Sequence, residues 1–154
     1  MAKIRRYESR DFVDYAVTLE KTSSWERRAA TELKARLERL KRREQVWVAD
    51  VGNRGVGFMI LLPNDDGSLE VDWLDVHPDF QRSGIGTLLI EKAAKIAKTK
   101  KMNTLSVHPS VTNQKMLDFA AKNGFQVFER IKNFHGKGKD ALRLKKEIPL
   151  ELGV

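Results

Sequence analysis

Val76-His77-Pro78-Asp79-Phe80-Gln81-Arg82-Ser83-Gly84-Ile85-Gly86-Thr87 is the stretch on which the reading of this chain turns. Before it, Leu69 to Val76 is rich in apolar and β-forming residues; after it, Leu88, Leu89, Lys92, Ala93, Ile96 and Ala97 recur at helical spacing as far as Thr99. A strand therefore ends, a turn follows, and a helix begins with two glycines at its start. Lacking a Cβ, they let the backbone come close to a ligand. The first helical N–H groups have no partner inside the helix and lie at the positive end of its dipole. Such a place suits phosphate.

Two familiar phosphate loops do not fit. No glycine stands four residues before a Gly-Lys-Ser/Thr string anywhere in the chain, and the dinucleotide fingerprint needs a third glycine where Leu89 stands. What remains is Gln81-Arg82-Ser83-Gly84-Ile85-Gly86, which by itself also fits an ordinary glycine-rich turn from strand to helix.

The 154 residues match one domain, residues 1–154, large enough to bury a core. With no cysteine, a disulfide scaffold, a Cys-ligated zinc site and a thiol nucleophile are excluded. His77, His108 and His135 lie far apart with no ligand spacing, so no metal is expected. No apolar run approaches a membrane span and the N-terminus lacks a signal-peptide core, so a soluble cytoplasmic protein is expected. The net charge of +8 could attract nucleic acid or a cofactor with several phosphates. Much of it reads instead as solvated helix face: Arg36 to Glu44 mixes both signs beside an apolar stripe of Leu33, Leu37 and Leu40. Nucleic acid is not expected as a partner.

Taken in order, Lys3 to Tyr7 reads as a first strand. Ser9 caps a first helix carrying Phe12, Val13, Ala16, Val17 and Leu19, and Ser24 caps a second from about Trp25 to Lys41. Val46 to Ala49 and Val56 to Leu62 form a hairpin around Gly52-Asn53-Arg54-Gly55, and Pro63 to Gly67 turns the chain into the strand that leads to the glycine loop. Leu105 to Val107 is a short strand, Thr112 or Asn113 begins a helix closed by Asn123-Gly124, and Phe125 to Ile131 and Ala141 to Ile148 are the last strands. The order βααβββαβαββ, without repeat or linker, describes one α/β unit.

That order, with Gln81 to Gly86 in the loop, Leu74-Asp75-Val76-His77-Pro78 before it, Asn113 after the fifth strand and Gly124-Phe125 after the last helix, resembles the GNAT superfamily of acetyl-coenzyme A-dependent acyltransferases. The likeness covers essentially the whole chain. It implies an α/β (α+β) fold with a mixed, mainly antiparallel central sheet flanked by helices. Asp140 to Lys145 is similar, more softly, to the last strand of members that acetylate protein N-termini or lysines.

The resemblance also implies roles. The backbone N–H groups of Gln81, Arg82, Ser83, Gly84, Ile85, Gly86 and Thr87 would hold the pyrophosphate, and the backbone of Leu74, Asp75 and Val76 would pair with the pantetheine arm. The Val76 N–H would lie near the thioester oxygen, where a donor stabilises developing negative charge. Asn113 is either a cofactor contact or simply a helix N-cap. An amine attacks a thioester only when neutral, so a proton must leave it. Glu70, eleven residues before Gln81, aligns with the general-base glutamate of the histone-acetylating branch. Asp72, two residues on, falls on the same face unless a bulge intervenes. The pair also reads as the solvated side of a half-exposed strand, and His108 is the other candidate base. Two departures stand out. Ala120 occupies the place of the tyrosine that many members use to protonate the thiolate, and Ser106 stands where the ribosomal-protein-acetylating branch has a glutamate in its fifth strand.

Three classes of function follow: an N-acetyltransferase using acetyl-CoA and a primary amine of a protein, peptide or small molecule; an acyl-CoA-binding sensor without turnover, suggested by Ala120; and a basic nucleic-acid or ribosome-binding module. Either a monomer or a homodimer is compatible with the sequence.

Overall fold

The computed structural model describes residues 2–12 and 24–149, with the backbone alone described for 24–30. Among the described residues seven strands occur: β1 (Lys3–Arg6), β2 (Gln45–Val51), β3 (Arg54–Pro63), β4 (Ser68–Val76), β5 (Thr104–Val107), β6 (Gln126–Ile131) and β7 (Ala141–Glu147). The helices are α1 (Ser24–Glu38), α2 (Ile85–Thr99) and α3 (Gln114–Lys122). Residues 9–12 are helical, as the Ser9 cap anticipates, and the rest of the expected first helix falls outside the described residues. The strand order is β1-β2-β3-β4-β5-β7-β6. Pairing is antiparallel for β1·β2, β2·β3, β5·β7 and β6·β7, and parallel for β4·β5. This is the mixed, mainly antiparallel sheet of the expected fold.

The chain divides into two compact units, Met1–Leu61 with Trp73–Leu89 and Leu62–Asp72 with Ile90–Val154. In the first, β2 and β3 turn through Gly52 and Asn53, whose φ values of 60° and 67° are both positive, as a tight two-residue hairpin requires. Leu33 of α1, Val48 and Phe58 are fully buried together, with Tyr7, Phe12, Leu37 and Trp73 packed around them. A leucine buried to this degree contributes roughly 1.5–3 kcal/mol relative to an exposed one. Where the stripe predicts a helix running to Lys41, α1 ends at Glu38, and Leu40 is exposed. The chain turns there and brings Glu44 back onto Arg36 at 2.5 Å, a contact that a helix continued through Lys41 would carry apart. Arg5 grips the fully buried Asp11 through two nitrogens, at 2.7 and 2.9 Å, and Asp50 through a third at 2.7 Å. Burial pushes the Asp11 carboxyl up, but Arg5 and the Glu8 N–H outweigh it and hold it below its usual range.

In the second unit β7 lies between β5 and β6. The core residues Leu69, Leu105, Leu144, Ala93 and Ala97 are at most 2% exposed. Asn113 caps α3 by accepting the Met116 N–H at 3.1 Å, and Gly124, with φ 88°, leaves the helix in the left-handed conformation expected of a C-terminal glycine. Between β3 and β4, Asp66 accepts the Ser68 hydroxyl at 2.6 Å and its N–H at 2.9 Å, and Arg143 of β7 pairs with it. The Ser68 hydroxyl and N–H, with Arg143 behind them, lower the Asp66 carboxyl from 3.8 to about 2. Because the folded value lies below the unfolded one, the stabilisation is complete above pH 3.8 and is lost as pH falls toward about 2. Denaturant midpoints of the wild type and Asp66→Asn should therefore differ at pH 6 and converge near pH 2; a gap independent of pH would show that the carboxylate charge is not its source.

Candidate active site

β4 and the loop after it build a candidate cofactor site. The parallel ladder to β5 ends at Glu70↔Ser106, whereas β4 continues to Val76. Along residues 73–76 the edge of β4 remote from β3 thus carries no strand among the described residues. From the Asn64 N–H to Ser68 carbonyl bond to the His77 N–H to Val56 carbonyl bond, β3 advances eight residues and β4 nine. One extra residue is therefore accommodated in β4. A bulge of this kind re-aims main-chain groups on the strand that carries it.

The loop braces itself. His77 is buried, donates its N–H to Val56 at 2.7 Å, and accepts the Asp79 N–H on Nδ1 at 3.1 Å. A 3-10 turn follows at Pro78–Phe80. Gln81 reaches back through Nε2 to the Val76 carbonyl at 2.9 Å, and the Ser83 hydroxyl donates to the Phe80 carbonyl. The polar side chains of Gln81 and Ser83 are thus used inside the loop, which leaves its main chain to meet a ligand. Arg82 and Gly84 have φ values of 62° and 85°. Left-handed residues beside a helix start turn successive N–H groups toward one concavity, the geometry of an anion-binding nest.

Gly84 precedes α2, and its carbonyl accepts the Leu88 N–H at 3.0 Å. The N–H groups of Ile85, Gly86 and Thr87 therefore come before the first intrahelical bond. Residues 82–84 are exposed, Gly86 and Thr87 are half-buried, and nothing stands within 4 Å of where a Cβ on Gly84 would lie. Free donors, a helix dipole and an open approach fit a pyrophosphate. Ile85 is 4% exposed and anchors the helix start. Gly57 of β3 makes room for it: a Cβ there would come within 3.3 Å of Ile85 Cγ2 and 3.4 Å of the Asp75 carbonyl oxygen. That role for Gly57 was not visible in the sequence, where the residue is one small member of an apolar strand.

The other unit carries its own cluster of candidate residues. Glu70 is only 8% exposed, in place of the solvated strand face that was one reading of it. Its Oε1 stands 2.8 Å from His108 Nδ1, just past the end of β5, and accepts from Asn64 Nδ2 at 3.3 Å. Burial pushes the Glu70 carboxyl up; the hydrogen bond and charge of His108 pull it down more, Asn64 and the neighbouring Asp72 add to them, and the net is below the ordinary value. Asp72 itself is exposed.

The far face of the His108 ring is covered by Phe134, stacked at 4.8 Å between centroids and 14° from parallel. His135 Nε2 lies 2.8 Å from the His108 carbonyl oxygen, which fastens the loop between β6 and β7 to the end of β5. That loop is held by Asn133, whose Oδ1 accepts the Gly138 N–H at 2.7 Å, and by Asp140, which accepts the Asn133 N–H at 2.9 Å. Asn64, Phe134 and His135 carried no signal in the sequence, because each acts through a contact made by the fold and belongs to no motif. Asn113 is exposed at the start of α3, where its N-cap role is observed. Ala120 is buried at 1% exposure and Ser106 at 0%. Neither position supplies an acid or base.

The model of the acetyltransferase (GNAT) family matches residues 3–125. The chain belongs to the GNAT acetyltransferase family, whose members use acetyl-CoA. An uncharacterized N-acetyltransferase of Methanocaldococcus jannaschii is 30% identical over 94 residues, covering 57% of this chain and 42% of the relative. The chain thus matches about two fifths of that relative's length. A GNAT-family protein of Desulfovibrio desulfuricans has a similar structure, with TM-score 0.78 and 20% identity over 97% of this chain and 100% of that one. The ribosomal-protein-S18-alanine N-acetyltransferase of Escherichia coli gives 0.74 and 18% over 99% and 97%. A GNAT acetyltransferase of Elizabethkingia anophelis, solved with acetyl-CoA bound, gives 0.71 and 19% over 95% and 97%. At these identities the likeness is one of fold. No helix among the described residues is long and apolar enough to cross a membrane.

Proposed function

We propose that this chain is a cytoplasmic N-acetyltransferase that moves the acetyl group of acetyl-CoA to a primary amine of a protein, peptide or small molecule by direct attack on the thioester. The observation that carries the reading is the buried, ion-paired Glu70, a carboxylate kept out of water and joined to an imidazole. A surface strand has no use for such a pair, whereas an enzyme that must deprotonate an ammonium does.

In this reading the main chain of Gln81 to Thr87 binds the pyrophosphate, with the exposed Arg82 guanidinium beside it. The edge of Leu74, Asp75 and Val76 takes the pantetheine arm, and Asn113 is a further cofactor contact in addition to its cap. The Val76 N–H faces the thioester oxygen as negative charge develops there. With Ala120 in place of a tyrosine, the leaving thiolate, a far better leaving group than an alkoxide, takes its proton from the amine nitrogen or from water. The charge of +8 serves the anionic cofactor and solubility, and nucleic acid plays no part.

The test mixes acetyl-CoA with three probes, a tetrapeptide with a free N-terminus, an N-blocked lysine peptide and spermidine, and follows free thiol. Thiol release that depends on an amine, with acetylated product by mass, is expected for at least one probe. Tight acetyl-CoA binding with no release would make the chain a sensor, and no binding at all would remove the cofactor site.

A further inference from the structure

We propose that the group that takes the proton from the amine is Nε2 of His108, with Glu70 as its positioning residue and Phe134 as the lid that fixes the ring. This rests on the transferase reading above and assigns the atom within it. Glu70 Oε1 faces His108 Nδ1 at 2.8 Å. The 2.8 Å contact is one of charge and distance, its angle falling outside hydrogen-bond geometry; an ionised carboxylate at that distance favours the ring hydrogen on Nδ1, which leaves the lone pair of the neutral ring on Nε2. Nε2 has no hydrogen-bond partner among the described residues and, on a side chain 10% exposed, is not among the fully buried polar atoms, so it is the ring nitrogen that keeps some contact with solvent.

Glu70 is poorly placed for the same task. Its side chain is as buried as that of His108, 11% against 10% exposed, and what sets it apart is that its Oε1 is already engaged by Asn64 at 3.3 Å as well as by His108. The ring is held on three sides: by the carboxylate at Nδ1, by Phe134 stacked on its face at 4.8 Å, and through its own carbonyl by His135 at 2.8 Å. The ionisable groups around it are Glu70, with Asp72 next to Glu70 on β4, and His135 on the loop between β6 and β7.

The step balances as follows. The ammonium R–NH3+ gives one proton to Nε2, and the neutral amine attacks the thioester carbon. A C–N bond forms and the C–S bond breaks, its electron pair leaving on sulfur. The nitrogen loses its second proton to the thiolate, and the imidazolium returns the first to water.

The experiment measures kcat/KM against pH, with the amine probe that the wild type uses, for the wild type, His108→Gln, His108→Ala and Glu70→Gln, alongside acetyl-CoA affinity. His108→Gln should lose on the order of 10²-fold or more near pH 7 and lose the acidic limb of the profile, with acetyl-CoA binding unchanged. Glu70→Gln should keep the limb but lower the plateau, since the ring is still the base and has lost the carboxylate that orients it. Added imidazole should restore part of the His108→Ala rate at constant ionic strength. A limb that persists in His108→Gln and vanishes in Glu70→Gln would make the glutamate itself the base and overturn the assignment.

Nitrogen NMR of the wild type, which needs no variant to fold, should show the neutral His108 ring protonated on Nδ1; protonation on Nε2 would overturn the assignment as well. Failure of the transferase reading looks different: the wild type would then release no thiol with any amine, while the ring tautomer would still be read.

Discussion

Glu70→Gln is expected to lower turnover by a factor on the order of 10² or more near neutral pH, while acetyl-CoA still binds. The change keeps the shape of the side chain and removes the charge that His108 Nδ1 faces at 2.8 Å. The loss should shrink as pH rises, because more of the substrate amine is then already neutral and less depends on a base. A variant damaged only in substrate positioning would stay slow at every pH. Asp72→Asn is the control. Asp72 is exposed where Glu70 is buried, so its replacement should cost much less. Near-normal turnover of Glu70→Gln across pH, together with a large loss in Asp72→Asn, would move the proton path off Glu70 and leave the family and cofactor loop in place.

Gly86→Val should weaken acetyl-CoA binding by roughly tenfold or more without loss of fold. Gly86 lies in the first turn of α2 and outside the left-handed glycines, so a side chain there puts no strain on the backbone, and valine is at least as good a helix former as glycine. The expected effect is that a branched side chain crowds the proposed pyrophosphate contact with the N–H groups of residues 85–87. Gly84 behaves in the opposite way. Its φ of 85° makes any L side chain costly, by roughly 1–2 kcal/mol, so Gly84→Val should lower stability as well as affinity. Calorimetry with acetyl-CoA and thermal melts on both variants separate the effects. Unchanged affinity in a folded Gly86→Val protein would return the loop to an ordinary strand-to-helix turn.

The glycine loop and the alternation of strands and helices were legible because they are local. Two glycines at a helix start, Gly52-Asn53 between two apolar runs, and Asn113 and Gly124 at the ends of α3 all act within a few residues, and each is found where the sequence places it. The end of α1 was misjudged by three residues because Leu40 continues the apolar period while the fold has no buried place for it. The candidate site was legible in part. Glu70 stands out in the sequence, but its burial and its contact with His108 depend on β4 and β5 lying side by side, a pairing made across more than thirty residues of chain. Phe134 and His135 lie farther off still, in the loop between β6 and β7, which Asn133 and Asp140 fasten so that it closes over His108. The extra residue in β4 has no residue signature at all. It follows from how β3 and β4 are paired, and periodicity alone gave no position for it.

The most direct test is a titration of the isotopically labelled protein with acetyl-CoA, followed at the backbone amides. The largest shifts should fall on residues 82–87 and along Leu74 to Val76, with the N–H groups of Ile85, Gly86 and Thr87 moving as donors to an anion do, and smaller changes elsewhere. Desulfo-CoA, which keeps the pyrophosphate and lacks the thiol, should reproduce the shifts of the loop. Saturable acetyl-CoA binding that leaves the amides of residues 82–87 unmoved would contradict the account.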